Sequence, residues 1–249
     1  MKNYQRLSQN FRKFTNHKSK EYIMKFTYYG HGCFLMETMG KKLLFDPFIT
    51  PNELAKDIDI ETIEADYILI SHGHQDHMAD AEPIAKRTGA MIISNFEVAQ
   101  WFGGKDFKSY PMNHGGKKTF DFGTLKLVNA VHSSVLPDGT YGGNPVGFVL
   151  WNEEGCFYYA ADTALTWDMK LIPMTCPQLD FSIMPIGDNF TMGYEDAVIA
   201  AEFVDCKTVI GCHYDTFGYI EIDKEKAKEA FETKKIDIKL PAIGESIEF

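Results

Sequence analysis

The amino-acid sequence predicts an α/β or α+β sandwich in which mixed β-sheets are covered by helices. Short apolar runs with strand character recur along the chain, some in hairpin-like succession and some separated by helical patterns. The chain has 249 residues, of which 45% are hydrophobic and 14% aromatic, so it can bury a sizeable core. Consecutive strands combined with strand–helix units are typical of mixed sheets flanked by helices.

The predicted elements are spread over both halves of the chain. The predicted strands are Lys25–Tyr29, Phe34–Met36, Lys42–Phe45, Tyr67–Ile70, Met91–Ser94, Leu125–Val131, Gly147–Trp151, Cys156–Ala160, Phe181–Met184 and Thr208–Ile210. The predicted helices are Ala79–Thr88, Phe96–Trp101, Tyr194–Val204 and Lys224–Thr233. In the third helix, small apolar residues recur at i, i+3, i+4 and i+7, so we expect one of its faces to pack on a sheet.

The N-terminal segment differs in composition from the rest of the chain. Residues 1–22 contain six basic residues, one acidic residue and no apolar core of the signal-peptide type. We therefore predict a basic extension over residues 1–23 and one domain over residues 24–249.

Charge and cysteine content narrow the class of protein. The net charge of −10 argues against broad contact with nucleic-acid phosphates. No apolar stretch approaches the ~20 residues needed to cross a bilayer, so no membrane partner is expected. The five cysteines include no C-x-x-C pair, which indicates free thiols in a reducing, cytoplasmic compartment. We expect a small-molecule partner, and the sequence leaves open whether the chain forms a homo-oligomer.

The segment Ser71–His77 (SHGHQDH) is the strongest functional signal. It follows the predicted strand Tyr67–Ile70 and has the pattern His-x-His-x-Asp-His. Imidazole and carboxylate are ligands of zinc and of other first-row metals. Four such groups are too close in sequence to surround one ion, and their alternation suits two adjacent ions. The alternative is a polar loop that contains histidines by chance, which is improbable with only eight histidines in the chain.

Three further candidate ligands each lie just past a predicted strand: His132, Asp162 and His213. Taken alone, each would more often cap a turn or a helix. Because strands of one sheet can end at one edge, the loops that follow them can converge on the His72–His77 cluster. Cys33 and Cys212 also neighbour histidines, and for these thiols we favour packing over ligation.

The ordered set His-x-His-x-Asp-His, His, Asp, His resembles the metallo-β-lactamase superfamily. More narrowly, the chain resembles uncharacterised metal-dependent hydrolases close to the L-ascorbate-6-phosphate lactonase-like branch. The segments that carry the resemblance are YYGHGCF (28–34), FDPF (45–48), SHGHQDH (71–77), VHSS (131–134), ADTAL (161–165), MPIGDNFTMG (184–193) and CHYDTF (212–217). The chain has Asp188 where the branch commonly has Gly, Asp215 where it has Asn, and Ala161 where Gly is frequent.

The resemblance implies a four-layer αββα sandwich and a dinuclear metal-dependent hydrolase whose site lies at one edge of the two sheets. It implies two divalent transition metals, with zinc as first choice and manganese, iron or nickel as alternatives. The implied ligands are His72, His74 and His132 for the first ion, Asp76, His77 and His213 for the second, and Asp162 as the bridge.

The resemblance also implies how the site would work. A bridging water would attack a small ester, lactone or phosphodiester, Asp76 would orient it, and His31 would act on the substrate side or in proton transfer. We expect Asp46 to brace the ligand loop through hydrogen bonds and His114 only to lie near the mouth.

Three other functions are alternatives to this hydrolase, and the sequence argues against two of them. A nuclease is disfavoured by the acidic charge and by the lack of a basic arm with interspersed aromatic residues. A di-iron redox protein would carry Glu at the position of His74 and usually a flavin domain, for which there is no room. A catalytically silent metal-binding sensor or scaffold is the remaining alternative.

Overall fold

The computed structural model describes residues 23–249, which form two seven-stranded sheets packed face to face with helices on both outer surfaces. The predicted basic extension, apart from Ile23, lies outside the described residues. Within the described part of the chain, no helix is both long and apolar enough to cross a membrane.

The first sheet uses the N-terminal half of the chain together with the last strand. Its strands are β1 (Lys25–Gly30), β2 (Cys33–Thr38), β3 (Lys41–Phe45), β4 (Tyr67–Leu69), β5 (Met91–Asn95), β6 (Ser109–Met112) and β14 (Ser246–Glu248). Their order is β14-β1-β2-β3-β4-β5-β6. The pairs from β14 to β3 are antiparallel, and those from β3 to β6 are parallel.

The second sheet repeats this arrangement. Its strands are β7 (Lys117–Phe120), β8 (Gly123–Asn129), β9 (Val146–Trp151), β10 (Cys156–Tyr159), β11 (Phe181–Pro185), β12 (Thr208–Cys212) and β13 (Asp237–Lys239), in that order across the sheet. Pairing is antiparallel from β7 to β10 and parallel from β10 to β13. Consequently β1, β3 and β4 share one direction, as do β8, β10 and β12, and the loops after them leave from one edge of each sheet.

The helices cover the outer faces of the sheets. They are α1 (Gln75–Met78), α2 (Ala81–Thr88), α3 (Phe96–Gly103), α4 (Ile172–Thr175), α5 (Tyr194–Phe203) and α6 (Lys224–Thr233). Helix α3 is capped by Asn95, whose Oδ1 accepts the N–H of Val98 at 2.9 Å.

Successive side chains along each strand point to opposite faces of the sheet, which divides the core into layers. In β3, Phe45 faces the space between the sheets, whereas Leu44 faces the cluster that includes α2 and α3. In β10, Phe157 points between the sheets and Tyr158 packs against the side of α5 and α6. The expected small-residue face of α5 is buried, Ala197 and Ala201 included. These layers confirm the αββα sandwich.

The structure corrects the sequence-based boundaries in two places near the site. Strand β8 ends at Asn129 rather than at Val131, because the Val131 N–H donates to Thr163 Oγ1 at 2.9 Å instead of to the sheet. The segment expected to be a loop after His74 is the short helix α1, in which the His77 N–H donates to the carbonyl oxygen of His74 at 3.0 Å. Both changes leave the candidate ligands at the sheet edge.

Candidate metal centre

The candidate site residues follow strands that run in the same direction in their sheets. His31 follows β1 and His72 follows β4 in the first sheet, and His132, Asp162 and His213 follow β8, β10 and β12 in the second. Because the sheets pack face to face, the loops from both meet at one edge. Strand ends alone predict convergence at the edge of one sheet, whereas the structure has the edge of two sheets that the family resemblance implies.

His72, His74 and His132 form one group of potential ligands. Their ligand atoms lie within 4.8 Å of one another. His72 Nε2 is 3.0 Å from His74 Nδ1, and the ring of His132 lies 5.2 Å from that of His72 and 5.1 Å from that of His74, measured between centroids. The structure thus brings together the three histidines predicted for the first ion.

Asp76, His77 and His213 form a second group, which His31 joins. Their ligand atoms again lie within 4.8 Å of one another. The ring of His31 lies 3.9 Å from that of His213 between centroids. The structure therefore brings together the three residues predicted for the second ion and adds a fourth side chain beside them.

Asp162 lies between the two groups. Its Oδ2 is 3.2 Å from His77 Nε2, 3.0 Å from His213 Nε2 and 3.6 Å from His132 Nε2. Burial alone would raise the pKa of the Asp162 carboxyl, but the adjacent His213 and His77 hold that pKa well below its usual value. A single ionised oxygen is therefore surrounded by imidazoles from both groups.

The donor atoms at this centre fit transition-metal ions. His77 Nε2 and both ring nitrogens of His213 are buried and make no hydrogen bond, although two of these atoms are within 3.2 Å of Asp162 Oδ2. Buried polar atoms without a partner are costly, and native structures have few of them. Imidazole nitrogens and carboxylate oxygens that converge in this way are the usual ligands of zinc and of its first-row neighbours.

Asp46 braces two of the histidines from behind. Its buried carboxylate accepts the N–H of Ser71 at 2.7 Å, the hydroxyl of Ser71 at 2.6 Å, the hydroxyl of Tyr159 at 2.7 Å and the Nδ1–H of His77 at 2.9 Å. The Ser71 hydroxyl oxygen lies 2.9 Å from His72 Nδ1 and can accept its proton. In this arrangement the Nδ1 of each imidazole is turned away from the site and Nε2 faces it, which orients both rings for metal binding.

The charge around His77 is consistent with this arrangement. Burial alone would lower the pKa of His77, but the carboxylates of Asp162 and Asp46 on either side raise it well above its usual value. The site thus favours a positive charge at this imidazole. A metal ion that binds Nε2 would replace the proton there.

His31 is buried behind Asp76. Its Nε2 is 3.1 Å from Asp76 Oδ2 and its Nδ1 is 3.0 Å from Thr216 Oγ1. Burial and the nearby His213 lower the pKa of His31 to about 3, so the ring is neutral at pH 7. A neutral ring is satisfied if its Nε2–H donates to Asp76 and its Nδ1 accepts the Thr216 hydroxyl proton. Burial opposes ionisation of Asp76, but the His31 hydrogen bond and nearby His77 bring the pKa of Asp76 well below its usual value.

The glycines on the two sides of His31 are required for different structural reasons. Gly30 has φ +97°, a conformation that residues with side chains rarely adopt. A Cβ on Gly32 would lie 2.9 Å from the hydroxyl oxygen of Tyr159 and 3.0 Å from His77 Cε1, so a side chain there would displace the His77 ring. His31 and His213 themselves have φ near +54°, and such backbone strain is typical of functional sites.

Several other sequence expectations are resolved by the structure. His114 Nε2 is 2.9 Å from the carbonyl oxygen of Pro145, and within residues 23–249 His114 belongs to neither ligand group. Cys33 and Cys212 are buried, burial raises the pKa of both thiols, and they too lie outside the ligand groups of the described chain, as expected for packing residues.

The departures from the branch pattern have a backbone explanation. Ala161, Asp188 and Asp215 have φ values of 56°, 61° and 62°. The left-handed region favours Gly and tolerates Asn and Asp, which accounts for Asp188 and Asp215, whereas Ala161 adopts this conformation without such a preference. The Asp215 carboxylate is further occupied, because it lies 2.9 Å from Lys224 Nζ.

Besides Asp46, three side chains hold the site residues in place without having been singled out from the sequence: Ser71, Tyr159 and Thr216. Ser71 lies inside the SHGHQDH motif and Thr216 inside CHYDTF, so each had a local signal as part of a recognised segment. Tyr159 lies within the apolar strand β10 and has no such signal.

Comparison with known proteins decides the family. Residues 25–213 match the Beta-lactamase superfamily domain. The chain belongs to the metallo-β-lactamase superfamily. It is 57% identical over 226 residues to a protein of Christiangramia forsetii named "UPF0173 metal-dependent hydrolase". The matched region covers 90% of this chain and 100% of the relative. The chain is 44% identical over 230 residues to "UPF0173 metal-dependent hydrolase YtkL" of Bacillus subtilis, at 90% and 100% coverage.

Solved structures of the superfamily agree with this assignment. Igni18, a metallo hydrolase from the archaeon Ignicoccus hospitalis, superposes with a TM-score of 0.83 at 31% identity and covers 91% of this chain and 98% of its own. The sequence-based prediction of a metal-dependent hydrolase with the metallo-β-lactamase fold is therefore confirmed.

Proposed function

We propose that this superfamily member hydrolyses a small ester, lactone or phosphodiester at a centre of two divalent transition metals, with zinc as first choice. Manganese, iron or nickel would suit the same ligands. One ion would be held by His72, His74 and His132, the other by Asp76, His77 and His213, and both by Asp162. The observation that carries the proposal is the position of Asp162 Oδ2, within 3.6 Å of imidazole nitrogens from both groups.

When bound, such ions lower the pKa of water and polarise the bond to be cleaved. The protein supplies orientation and proton handling. Asp46 and Ser71 fix the rings of His77 and His72 with Nε2 toward the centre. His31 holds a proton on Nε2 beside Asp76, whose side chain is 31% exposed and so can be reached from the mouth. We assign to this pair the proton transfers at the reacting atoms.

The composition supports a cellular compartment and a class of substrate. Five free thiols support a reducing, cytoplasmic compartment. The net charge of −10 supports a small-molecule substrate over a nucleic acid. Within this proposal, the nuclease and the silent metal-binding protein are the alternatives that an experiment must separate.

The test combines metal analysis with an activity panel. Protein purified without chelator is supplemented with zinc, manganese, ferrous iron or nickel, and its metal content is measured by elemental analysis. The same preparations are assayed on aryl esters, lactones, bis-aryl phosphodiesters and single-stranded DNA, with chelated protein as the control. We expect about two ions per chain and hydrolysis of a small substrate that chelation abolishes.

Three outcomes would contradict the proposal. A reproducible metal content near zero after supplementation would remove the centre. Cleavage of DNA alone would favour the nuclease, and two bound ions with no hydrolysis of any substrate would favour the silent metal-binding protein.

A further inference from the structure

Three exposed aromatic side chains, here called the aromatic rim, lie on loops that adjoin the metal centre: Phe190, Phe217 and Tyr219. They are 50%, 37% and 77% exposed. The rings of Phe190 and Tyr219 meet edge to face, with centroids 6.0 Å apart. The ring of Phe217 lies 5.3 Å from that of His31, which places this member of the rim next to the proposed proton-transfer pair.

The loops that carry the rim are fixed to the ligand loops by backbone hydrogen bonds. The Met192 N–H donates to the carbonyl oxygen of Thr163 at 2.9 Å, which joins the loop of Phe190 to the neighbour of Asp162. The loop of Phe217 and Tyr219 begins at the ligand His213 itself. Large aromatic residues exposed beside a polar site are characteristic of the walls that orient a ligand.

The segments around the site contain acidic residues but no basic ones. Neither Lys nor Arg occurs in residues 31–32, 46–52, 70–80, 129–145, 160–166, 186–193 or 213–223. Asp188 is exposed on the loop that carries Phe190. Lys224 follows the last segment, but its Nζ lies 2.9 Å from Asp215 Oδ2. Away from the bound metal ions themselves, an anionic group on a substrate would therefore meet negative charge and no cationic side chain from these segments.

We infer that the substrate is an uncharged ester or lactone bearing an aromatic or bulky apolar group that packs on the aromatic rim. The inference rests on the proposed hydrolase function and selects within it against phosphodiesters, which are anionic. In the reaction, the oxygen of water bonds to the acyl carbon and the acyl C–O bond breaks. Of the two protons of water, one passes to the alkoxide oxygen and the other is released to solvent, so the products are a carboxylate and an alcohol.

The test uses lactones that differ in one substituent. Hydrolysis of γ-phenyl-γ-butyrolactone and of γ-valerolactone, its methyl counterpart, is compared by kcat/KM on metal-loaded protein. Bis(4-nitrophenyl) phosphate provides an anionic comparison. We expect the phenyl lactone to be preferred by roughly tenfold or more, since an aromatic contact adds to the burial of the ring. We expect the phosphodiester to be the poorest substrate.

Binding gives a readout that does not depend on turnover. Calorimetry measures the affinity of the non-hydrolysable lactams 5-phenyl-2-pyrrolidinone and 5-methyl-2-pyrrolidinone, and of the phenyl lactam with a para carboxylate. The uncharged phenyl lactam should bind more tightly than either of the others.

Two variants test whether the aromatic rim causes the preference for the phenyl group. Phe190→Ala/Tyr219→Ala removes two exposed rings, so it should fold and keep its metals but reduce the phenyl preference to about threefold or less. Trp167→Ala is the matched control, because its ring is 70% exposed and stacks on Phe203 rather than on the rim. This control should keep the full preference.

Failure of the inference and failure of the proposed function give different results. Equal binding of the phenyl and methyl lactams, preference for the charged lactam, or a phenyl preference that survives loss of the rim would each overturn the inference. A rim-dependent preference among lactams without hydrolysis of any substrate would uphold the inference on recognition and refute the hydrolase.

Discussion

His77 Nδ1 and Asp46 Oδ2 lie 2.9 Å apart, and both side chains are fully buried. The same oxygen accepts the hydroxyl protons of Ser71 and Tyr159. One carboxylate therefore fixes the orientation of the His77 imidazole, a proposed metal ligand, and links the two sheets. Its own backbone is held at φ 40°, so the position is set by the surrounding structure rather than by local preference.

Replacing Asp46 with Asn should weaken metal binding. The amide removes the negative charge that holds the Nδ1–H of His77, and loss of such a supporting partner typically costs about 10–100-fold in metal affinity. Competition with a chromophoric chelator measures the change. Unaltered affinity would show that the hydrogen bond to His77 is not needed.

Asp80→Asn is the matched control for this change. Asp80 is also a buried aspartate, and its Oδ2 accepts the N–H groups of Ile49 at 2.6 Å and Thr50 at 2.9 Å without touching an imidazole. We expect this variant to lower the melting temperature while leaving metal affinity unchanged.

Much of this centre could be predicted from the sequence because each candidate ligand belongs to a short motif or directly follows a recognisable strand. The His72–His77 cluster is contiguous, and His132, Asp162 and His213 each follow an apolar strand that the residue pattern reveals. The order of the elements predicts loops that follow strands, but their meeting also requires the strand directions within each sheet and the face-to-face packing of the two sheets.

The supporting contacts could not be predicted, because they arise from packing between the sheets. Tyr159 reaches Asp46 across 113 positions of sequence, from within an apolar strand that looks like any other. The edge strands β6, β7, β13 and β14 were also missed. They are short, β6 contains Pro111, and β7 (KKTF) is mostly exposed, so none has the apolar run by which a buried strand is recognised.

Deleting residues 1–22 should preserve folding and metal binding. Strand β1 is already paired on both sides, with β2 and β14, and Met24 before it is buried at 1% exposure. The sandwich therefore closes without the deleted residues. Thermal denaturation of the truncated and full-length proteins is the comparison, and a large drop in melting temperature would show that the extension packs on the domain.

Asp162→Ala should loosen both metals and abolish activity. The substitution removes a carboxylate oxygen that lies within 3.6 Å of His77, His132 and His213, so each bound ion would lose a ligand and the shielding of its charge from the other. Elemental analysis after gel filtration measures the loss. His114→Ala, which removes a histidine outside both ligand groups of the described chain, should leave the metal content unchanged. Full occupancy in Asp162→Ala would refute the bridge.

His31→Ala should reduce turnover while both metals stay bound. The imidazole is hydrogen bonded to Asp76 at 3.1 Å and to Thr216 at 3.0 Å, so its nitrogens are engaged in a proton-bearing chain rather than free as ligands. Loss of acid–base assistance typically costs about 10²–10⁴-fold, so the activity should be impaired but measurable. Thr216→Val, which removes only the hydroxyl bound to Nδ1, should give a smaller loss. Elemental analysis alongside kcat separates the roles: lost metal would make His31 a ligand, and unchanged kcat would make it a structural residue.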